Sequence, residues 1–271
     1  MYNEFYGFAE APFNITPDPR FLFFSDRHRE AYNHILFGIR ERKGFIQITG
    51  EVGAGKTTVC RAILRELGPG YKTALILNPC MTETQLFKTI VVEYGLKPPR
   101  RGDRVSCLDA LNEFLLVQAA EDNDVVLFID EAQDLGDELL EQVRLLSNLE
   151  TDQRKLLQIV LIGQPELREK LNRKGLRQLR QRITVRYHLT PLSLAETERY
   201  VFHRLKVAGA DSRPVFTPWA LRRIQGYSRG IPRLINAVCD KTLLCGYVAG
   251  TDRLTGGHVR RAIRELEGEY R

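Results

Sequence analysis

The sequence predicts an α/β fold: a five-stranded parallel sheet with helices on both faces, followed by a small all-helical unit. Short apolar runs alternate with longer helical patterns over the first 190 residues, and this alternation is typical of a parallel sheet. The runs are mostly continuous, as expected for strands that are covered on both faces. Beyond residue 190 no β-type run appears. We therefore expect two domains, at residues 1–190 and 191–271.

Five strands are predicted in the first domain. They are expected at residues 45–49, 73–78, 125–130, 158–163 and 183–189. The segment before them, residues 5–24, is rich in aromatic side chains and proline. We assign this opening segment to the first domain, together with the sheet.

In the second domain, every segment carries the residue signals that begin helices. The predicted starts are the capping box of Ser193 and Glu196, the pair Thr217 and Pro218, Pro232, and Thr255. This part of the chain should therefore contain helices only.

The composition narrows the possible classes of protein. The chain has 43% hydrophobic and 27% charged residues and a net charge of +6, which excludes disordered and collagen-like proteins. Its longest apolar runs are strand-sized, whereas a membrane-spanning helix needs about 20 residues, and its first residues lack the features of a secretory signal. We expect a cytoplasmic protein without a transmembrane segment. The five cysteines show no CxxC spacing, so neither a zinc site nor a disulfide framework is predicted.

A glycine-rich motif, G-x-x-x-x-G-K-T, follows the first predicted strand and precedes a helical pattern. In such a phosphate loop the backbone N–H groups converge on an anion, and the helix N-terminus adds its positive dipole end. Lys56 would reach the β- and γ-phosphates, and the Thr57 hydroxyl would ligate Mg²⁺. Because a lysine in the first helical turn opposes the dipole, a bound anion is favoured over a plain turn. The predicted nucleotide-binding residues here are Gly50, Glu51, Val52, Gly53, Ala54, Gly55, Lys56, Thr57 and Thr58.

Two carboxylates, Asp130 and Glu131, stand at the end of the third predicted strand. Ligands of open α/β sheets bind at this end of the strands. Asp130 would hold Mg²⁺, and Glu131 would orient or polarise an attacking water. Another predicted strand, residues 73–78, separates the two motifs, which favours an ATPase over a kinase of small molecules. ATP or ADP and Mg²⁺ are therefore the predicted ligands.

Two further residues are candidates for contact with phosphate. Gln164 follows the fourth predicted strand, beside the expected γ-phosphate, and this role is favoured over the alternative of a turn residue before Pro165. Arg233 lies in the first turn of a predicted helix, where its charge opposes the dipole and favours an anionic partner. That partner is either bound phosphate or an acid such as Asp240 or Glu198.

Residues 168–186 contain eight lysine or arginine side chains and a single acid, Glu169. So basic a segment can track a polyanion, which makes nucleic acid a candidate partner, with a solvated basic face as the alternative. Arg182 stands at a helix-to-strand junction and could act in trans as an arginine finger on a neighbouring subunit. Arg180 is the competing candidate.

In their order along the chain, these motifs resemble an AAA+ ATPase. More narrowly, five segments resemble the ExeA-like ATPases, the general secretion pathway protein A family, and the resemblance extends over nearly the whole chain. They are Pro12-Phe13 with Thr16-Pro17-Asp18-Pro19-Arg20, Asp130-Glu131-Ala132-Gln133, Leu146-Ser147-Asn148-Leu149-Glu150, Gly163-Gln164-Pro165-Glu166-Leu167, and Gly230-Ile231-Pro232-Arg233-Leu234-Ile235-Asn236.

The resemblance implies an AAA+ nucleotide-binding core at residues 1–190, a helical lid at residues 191–271, and a homo-oligomer. It implies that the aromatic and proline-rich segment from Phe13 to Phe24 lies on the adenine side of the site, with Phe13 among the nucleotide-binding residues. The candidate catalytic residues are Lys56, Glu131, Gln164, Arg233 and, acting in trans, Arg182.

Two biological roles follow from the resemblance. The first is an ATPase that assembles or energises a type II secretion, pilus or exopolysaccharide apparatus through protein contacts at the inner membrane. The secretion proteins typically continue into a membrane segment and a peptidoglycan-binding domain, whereas this sequence ends at Arg271. Transposition regulators of the TniB and TnsC type are similar AAA+ ATPases and suggest the alternative, a DNA-bound assembly platform. A nucleotide switch with negligible turnover is a third possibility.

Overall fold

The structure is a computed structural model, which describes residues 1–14, 19–21, 23–150, 154–211 and 213–268. The described chain forms two compact units. The sheet unit comprises residues 30–50 and 59–189, and the helical unit comprises residues 1–29, 51–58 and 190–271. Part of the predicted adenine-side segment, residues 15–18 and Leu22, lies outside the described residues.

The described ranges contain twelve α-helices and seven strands. The helices are α1 (Tyr2–Tyr6), α2 (Asp26–Arg40), α3 (Lys56–Glu66), α4 (Glu83–Glu93), α5 (Arg104–Ala120), α6 (Asp137–Leu146), α7 (Pro165–Leu171), α8 (Arg177–Arg182), α9 (Leu194–Val207), α10 (Pro218–Ser228), α11 (Pro232–Val248) and α12 (Gly256–Leu266). Among these helices, none combines the length and the apolar character needed to cross a membrane.

The five predicted strands form one sheet. They are β1 (Phe45–Gly50), β2 (Tyr71–Ile76), β3 (Asp124–Ile129), β4 (Gln158–Gly163) and β5 (Ile183–Leu189). All neighbouring pairs are parallel, in the order β2-β3-β4-β1-β5. Every residue of β1 and β4 is buried, because these strands are central and covered on both faces. The predicted α/β fold class is confirmed, with β2 lying two residues earlier than expected.

Helices cover both faces of this sheet. On one face, Phe45 and Leu127 of the strands share a hydrophobic cluster with Leu86 of α4 and Leu111 of α5. On the other face, α2 comes so close to β1 that a Cβ on Gly38 would lie 2.8 Å from Ile46 Cδ1. A fully buried leucine or isoleucine contributes about 1.5–3 kcal/mol, so these two layers are the main source of the stability of the sheet unit.

The helical unit confirms the predicted helix starts. Ser193 and Thr217 each accept a backbone N–H as N-caps of α9 and α10, and Pro232 is the first residue of α11. Thr255 caps α12 in a reciprocal box with His258. The unit nevertheless is not purely helical. Two short strands, β6 (Val215–Phe216) and β7 (Arg253–Leu254), pair in parallel.

The N-terminal segment packs differently from the predicted division. Residues 1–29 group with the helical unit, whereas the sequence analysis placed them with the sheet. The Tyr6 hydroxyl donates to the Leu243 carbonyl at 3.0 Å, and the Arg204 guanidinium donates to the Pro12 and Asn14 carbonyls at 2.6 and 2.9 Å. Tyr6, Phe8, Phe13 and Phe21 of this segment are therefore buried in the core of the helical unit rather than against the five-stranded sheet.

Candidate nucleotide-binding site

The phosphate loop occupies the turn between β1 and α3. Gly53 and Gly55 have φ angles of +79° and +100°, a region that glycine adopts at little cost. Space is restricted as well, since a Cβ would lie 2.5 Å from Arg233 Cβ at Gly53 and 2.7 Å from His28 Nε2 at Gly55. Both glycines are thus needed for conformation and for close packing.

Lys56 is buried at the first position of α3, with 6% of its surface exposed. Its Nζ donates to the Glu51 carbonyl at 3.0 Å, which holds the ammonium against the phosphate loop. Thr57 and Thr58 follow in the first turn of the helix and are half-buried. The order strand, glycine-rich loop, helix is the context that a phosphate-binding motif requires.

His28, in the first turn of α2, contacts the phosphate loop. Its ring is buried, and its Nε2 lies 2.9 Å from the Ala54 carbonyl oxygen. A carbonyl only accepts, so Nε2 carries the proton, and Nδ1 accepts from the Ser25 hydroxyl at 2.7 Å. Burial lowers the pKa of the His28 imidazole and favours its neutral form. No role was predicted for His28, because the five histidines show no metal-ligand spacing; its partner Ala54 lies 26 positions away in the chain.

Arg233 lies beside the same loop, in the first turn of α11. Its backbone N–H donates to the Gly53 carbonyl at 3.3 Å, and its side chain is exposed. Asp240, one of the two acids considered as an alternative partner, accepts the hydroxyl of Tyr2 at 2.5 Å. The structure therefore brings the predicted arginine next to the phosphate loop.

The carboxylate motif continues directly from β3. Asp130 is 3% exposed, and its Oδ1 accepts the Glu131 N–H at 2.9 Å. Glu131 has a φ angle of +50°, a left-handed conformation that is uncommon for residues other than glycine. Such strain often accompanies functional sites, and here it sets the direction of the Glu131 side chain just beyond the end of β3.

Two side-chain amides hold the Glu131 carboxylate. Its Oε2 accepts from Gln133 Nε2 at 2.8 Å and from Gln164 Nε2 at 3.2 Å. Gln133 Oε1 in turn accepts the Gln164 N–H at 3.0 Å, which closes the network. A Cβ on Gly163 would lie 2.9 Å from that same Oε1. We call Glu131, Gln133 and Gln164 the glutamate network.

Glu131 and Gln164 were both predicted, and the structure brings them together. Gln133 was quoted only as part of a motif and was given no role. The sequence did show that Gln133 is a third polar residue just after the strand end. It gave no indication that the Gln133 amide donates a hydrogen bond to Glu131.

The donor types also fit Mg²⁺. This cation prefers oxygen ligands and usually takes one or two carboxylates, with water and substrate phosphates completing its shell. Asp130 offers a buried carboxylate and Thr57 a hydroxyl. Within the described ranges, no three His, Cys, Asp or Glu side chains gather into a metal-binding group.

The two candidate finger arginines are hydrogen-bonded inside their own chain. Arg182 Nη1 donates to the Ser147 hydroxyl at 2.5 Å. Arg180 Nη1 donates to Asn172 Oδ1 at 3.1 Å. Both side chains are half-buried.

The basic segment, residues 168–186, is not uniform. Lys170 Nζ donates to the carbonyls of Gln133 and Leu135 at 2.7 and 2.6 Å, so this lysine fastens the turn after Glu131. Arg168, Lys174, Arg177 and Arg186 are exposed. Lys170 is therefore a structural residue rather than part of a polyanion-binding face.

Phe13 departs from its predicted role. It is 1% exposed and packs edge-to-face on Phe216, with ring centroids 6.3 Å apart. A ring enclosed in this way is a core residue of the helical unit rather than a contact for adenine.

Comparison with known proteins identifies the fold of this site. Residues 39–171 match the family described as AAA domain. This segment is an AAA domain. The chain is also 46% identical over 268 residues to the General secretion pathway protein A of Aeromonas hydrophila, an alignment that covers 99% of this chain and 49% of that protein. The predicted resemblance is confirmed, and the chain spans about half the length of this curated relative.

Solved structures support the AAA+ fold. The ORC2 protein of Aeropyrum pernix, in ADPNP and ADP complexes, superposes with a TM-score of 0.67 at 19% identity, over 95% of this chain and 72% of that one. Cdc6p of Pyrobaculum aerophilum gives 0.70 at 17% identity, over 94% and 70%. The RuvB branch migration motor of Thermotoga maritima gives 0.57 at 19% identity, over 88% and 69%.

Proposed function

We propose that the protein hydrolyses ATP to ADP and phosphate with Mg²⁺. The observation that carries this proposal is the glutamate network, in which two amides hold the Glu131 carboxylate just beyond β3. A carboxylate fixed in one orientation can accept a proton from water as the water attacks phosphorus. The AAA domain and the phosphate loop supply the nucleotide-binding context.

The remaining residues take the roles their chemistry allows. The phosphate loop, residues 50–58, would bind the triphosphate, with Lys56 on the β- and γ-phosphates. Thr57 and Asp130 would hold Mg²⁺, which neutralises developing charge on the phosphate oxygens. Gln164 and Arg233 would contact the γ-phosphate. Each of these roles is electrostatic or positional, as phosphoryl transfer requires.

Glu131→Gln tests the hydrolytic role. The amide fills the same space but is a much weaker base, so turnover should fall by about 100-fold or more while ATP binding is retained. Lys56→Ala should instead abolish measurable binding. Phosphate release and ATP affinity are measured for both, with the exposed Glu138→Gln as the matched control. Normal turnover by Glu131→Gln would show that another residue is the catalytic base. If the native chain itself hydrolyses no ATP, the protein is better explained as a nucleotide switch.

We further propose that the active form is a homo-oligomer, a ring or filament, in which Arg182 acts on the nucleotide of a neighbouring subunit. Arg182 would exchange the Ser147 hydroxyl for a phosphate oxygen, a stronger partner for a guanidinium because it is charged. Hydrolysis would then depend on assembly.

Mixing two inactive variants tests the trans role. Arg182→Ala keeps its own Glu131, and Glu131→Gln keeps Arg182, so some mixed interfaces are complete. ATPase activity should reappear on mixing, under conditions in which the native subunits assemble and exchange. Arg177→Ala, an exposed arginine on the same helix, serves as the control. A mixed rate equal to the sum of the separate rates would reject Arg182, and Arg180 would then be examined in the same way.

We propose that the biological role is to assemble or energise a bacterial secretion, pilus or exopolysaccharide apparatus. The support is 46% identity to General secretion pathway protein A across 99% of this chain. The protein would act in the cytoplasm, reaching the inner membrane through a partner. In a pull-down experiment, we expect an immobilised inner-membrane protein of the apparatus to retain this protein, and to retain more of it with ATP than with ADP.

A DNA-bound assembly platform of the TniB or TnsC type is the second candidate. The exposed arginines Arg168, Arg177 and Arg186 favour it, since such side chains neutralise phosphates and release counterions. ATP-dependent binding to duplex DNA that weakens steeply with salt would select this function. Absence of binding at low salt would reject it.

A further inference from the structure

The Ala54–Gly55 peptide of the phosphate loop could rotate easily, but a hydrogen bond from His28 fixes its orientation. Gly55, at φ +100°, carries no Cβ, so this peptide can rotate at little cost. In a planar trans peptide, the carbonyl of one residue and the N–H of the next point in opposite directions. The direction of the Ala54 carbonyl therefore sets the direction of the Gly55 N–H, one of the groups that a phosphate loop aims at its anion.

The Ala54 carbonyl needs a protein donor. Ala54 is 1% exposed, and buried carbonyls are almost always hydrogen-bonded. His28 Nε2 supplies that bond at 2.9 Å. The same nitrogen would lie 2.7 Å from a Cβ on Gly55, so the ring also fills the space beside the peptide.

Ser25 sets the ring in its donating form. Its Oγ accepts the backbone N–H of His28 at 3.2 Å, which leaves its own proton to be donated to Nδ1 at 2.7 Å. Ser25 is 1% exposed and His28 is 5% exposed, so water competes little for either bond. Nδ1 is an acceptor in this arrangement and Nε2 is the donor.

From these contacts we infer that His28 is a positioning residue for phosphate binding, held in its tautomer by Ser25. It locks the Ala54–Gly55 peptide so that the phosphate loop is formed before the nucleotide arrives. This inference rests on the proposed nucleotide binding. Preorganisation of this kind raises affinity by removing an ordering cost from the binding step.

Three variants separate the donated bond from mere space filling. His28→Ala removes both the donor and the ring, and should weaken ATP and ADP binding by about tenfold or more, the usual range for a buried carbonyl left without its donor. His28→Gln places an amide N–H at a comparable reach and should recover most of the affinity. His34→Ala removes an exposed histidine from the same helix and should bind like the native chain.

Ser25→Ala gives a milder test that keeps the ring. Without the hydroxyl, Nδ1 loses its donor and only the Ala54 carbonyl still favours the tautomer with the proton on Nε2, so affinity should fall several-fold. In His28→Ala and Ser25→Ala the loss should appear as a rise in KM larger than the fall in kcat, because the loop binds phosphate rather than activating water.

Calorimetry with ADP and with a non-hydrolysable ATP analogue, together with melting of the nucleotide-free chain, decides between the outcomes. Native-like affinity in His28→Ala, or equal losses in His28→Ala and His28→Gln, would overturn the inference while the native chain still binds. A native chain without nucleotide affinity would overturn both the inference and the proposed function. If His28→Ala does not fold, the affinities of Ser25→Ala and His28→Gln test the inference. Native-like nucleotide affinity of Ser25→Ala would then show that Ser25 and His28 do not fix the Ala54–Gly55 peptide for binding.

Discussion

Phosphate loop and glutamate network are held in contrasting ways. The loop is fixed through its backbone: the Gly53 carbonyl accepts the Arg233 N–H, and the Ala54 carbonyl accepts from His28. The network is fixed through side chains, with the amides of Gln133 and Gln164 on one carboxylate oxygen of Glu131. Changes that disturb the backbone of the phosphate loop should therefore lower nucleotide affinity, whereas changes to the side chains of the glutamate network should lower turnover.

Gly55→Ala should have the largest effect on the loop. The new Cβ meets His28 Nε2 at 2.7 Å, and the residue must keep a φ angle of +100°. A strained residue of this kind costs about 1–3 kcal/mol, and movement of His28 would also release the Ala54 carbonyl. Nucleotide affinity should fall by at least about tenfold, with a lower melting temperature.

The matched control for this change is Gly68→Ala. A Cβ there meets no atom within 4 Å, so affinity and melting temperature should stay near the native values. If Gly55→Ala binds nucleotide normally but hydrolyses it slowly, the proposed contrast between the two regions is wrong.

Gln133→Ala should have the opposite signature. Glu131 loses one of its two amide donors, and hydrogen bonds to charged groups contribute about 1.5–3 kcal/mol. The value of kcat should fall by about tenfold while the ATP dissociation constant stays the same. Steady-state kinetics and calorimetry measure both quantities, with the exposed Gln178→Ala as control. Equal losses of affinity and turnover would show that Gln133 supports the fold rather than the carboxylate.

The smallest expected effect concerns pH. Burial lowers the pKa of His28 in the folded chain, so below the unfolded pKa of about 6.5 the unfolded state binds more protons. Stability from the neutral ring is present above that pH and is lost as the pH falls. Between pH 7.5 and 5.5, the melting temperature of the native chain should drop more than that of His28→Gln, and parallel curves would show that His28 does not titrate with unfolding.

Much of the sheet unit could be predicted because its signals are local. Continuous apolar runs such as residues 158–163 are long enough to show burial on both faces, and the motifs follow directly on strand ends. The pair β6 and β7 was missed because two-residue strands have no periodicity, and their pairing partners are far apart in the chain.

The contacts that complete the site could not be predicted, because each depends on tertiary structure. His28 meets Ala54 only after α2 and the loop are placed, and Gln133 meets Gln164 across 31 positions. Phe13 shows the same limit, since an aromatic side chain in a proline-rich segment suits a ligand contact as well as a core. In the structure Phe13 is 1% exposed and packs on Phe216, so it is part of the core of the helical unit.

The bond from Arg182 to Ser147 has a consequence for reaction order under the proposed trans role. In a dilute solution the Arg182 guanidinium stays bonded to Ser147 of its own chain, so most molecules are inactive. Each interface that forms between two subunits frees one Arg182 to bind the neighbour's nucleotide. The rate per molecule should then climb with concentration and level off once every chain has a neighbour. Ser147→Ala, which removes the resting contact, should shift that curve toward lower concentrations without raising its plateau.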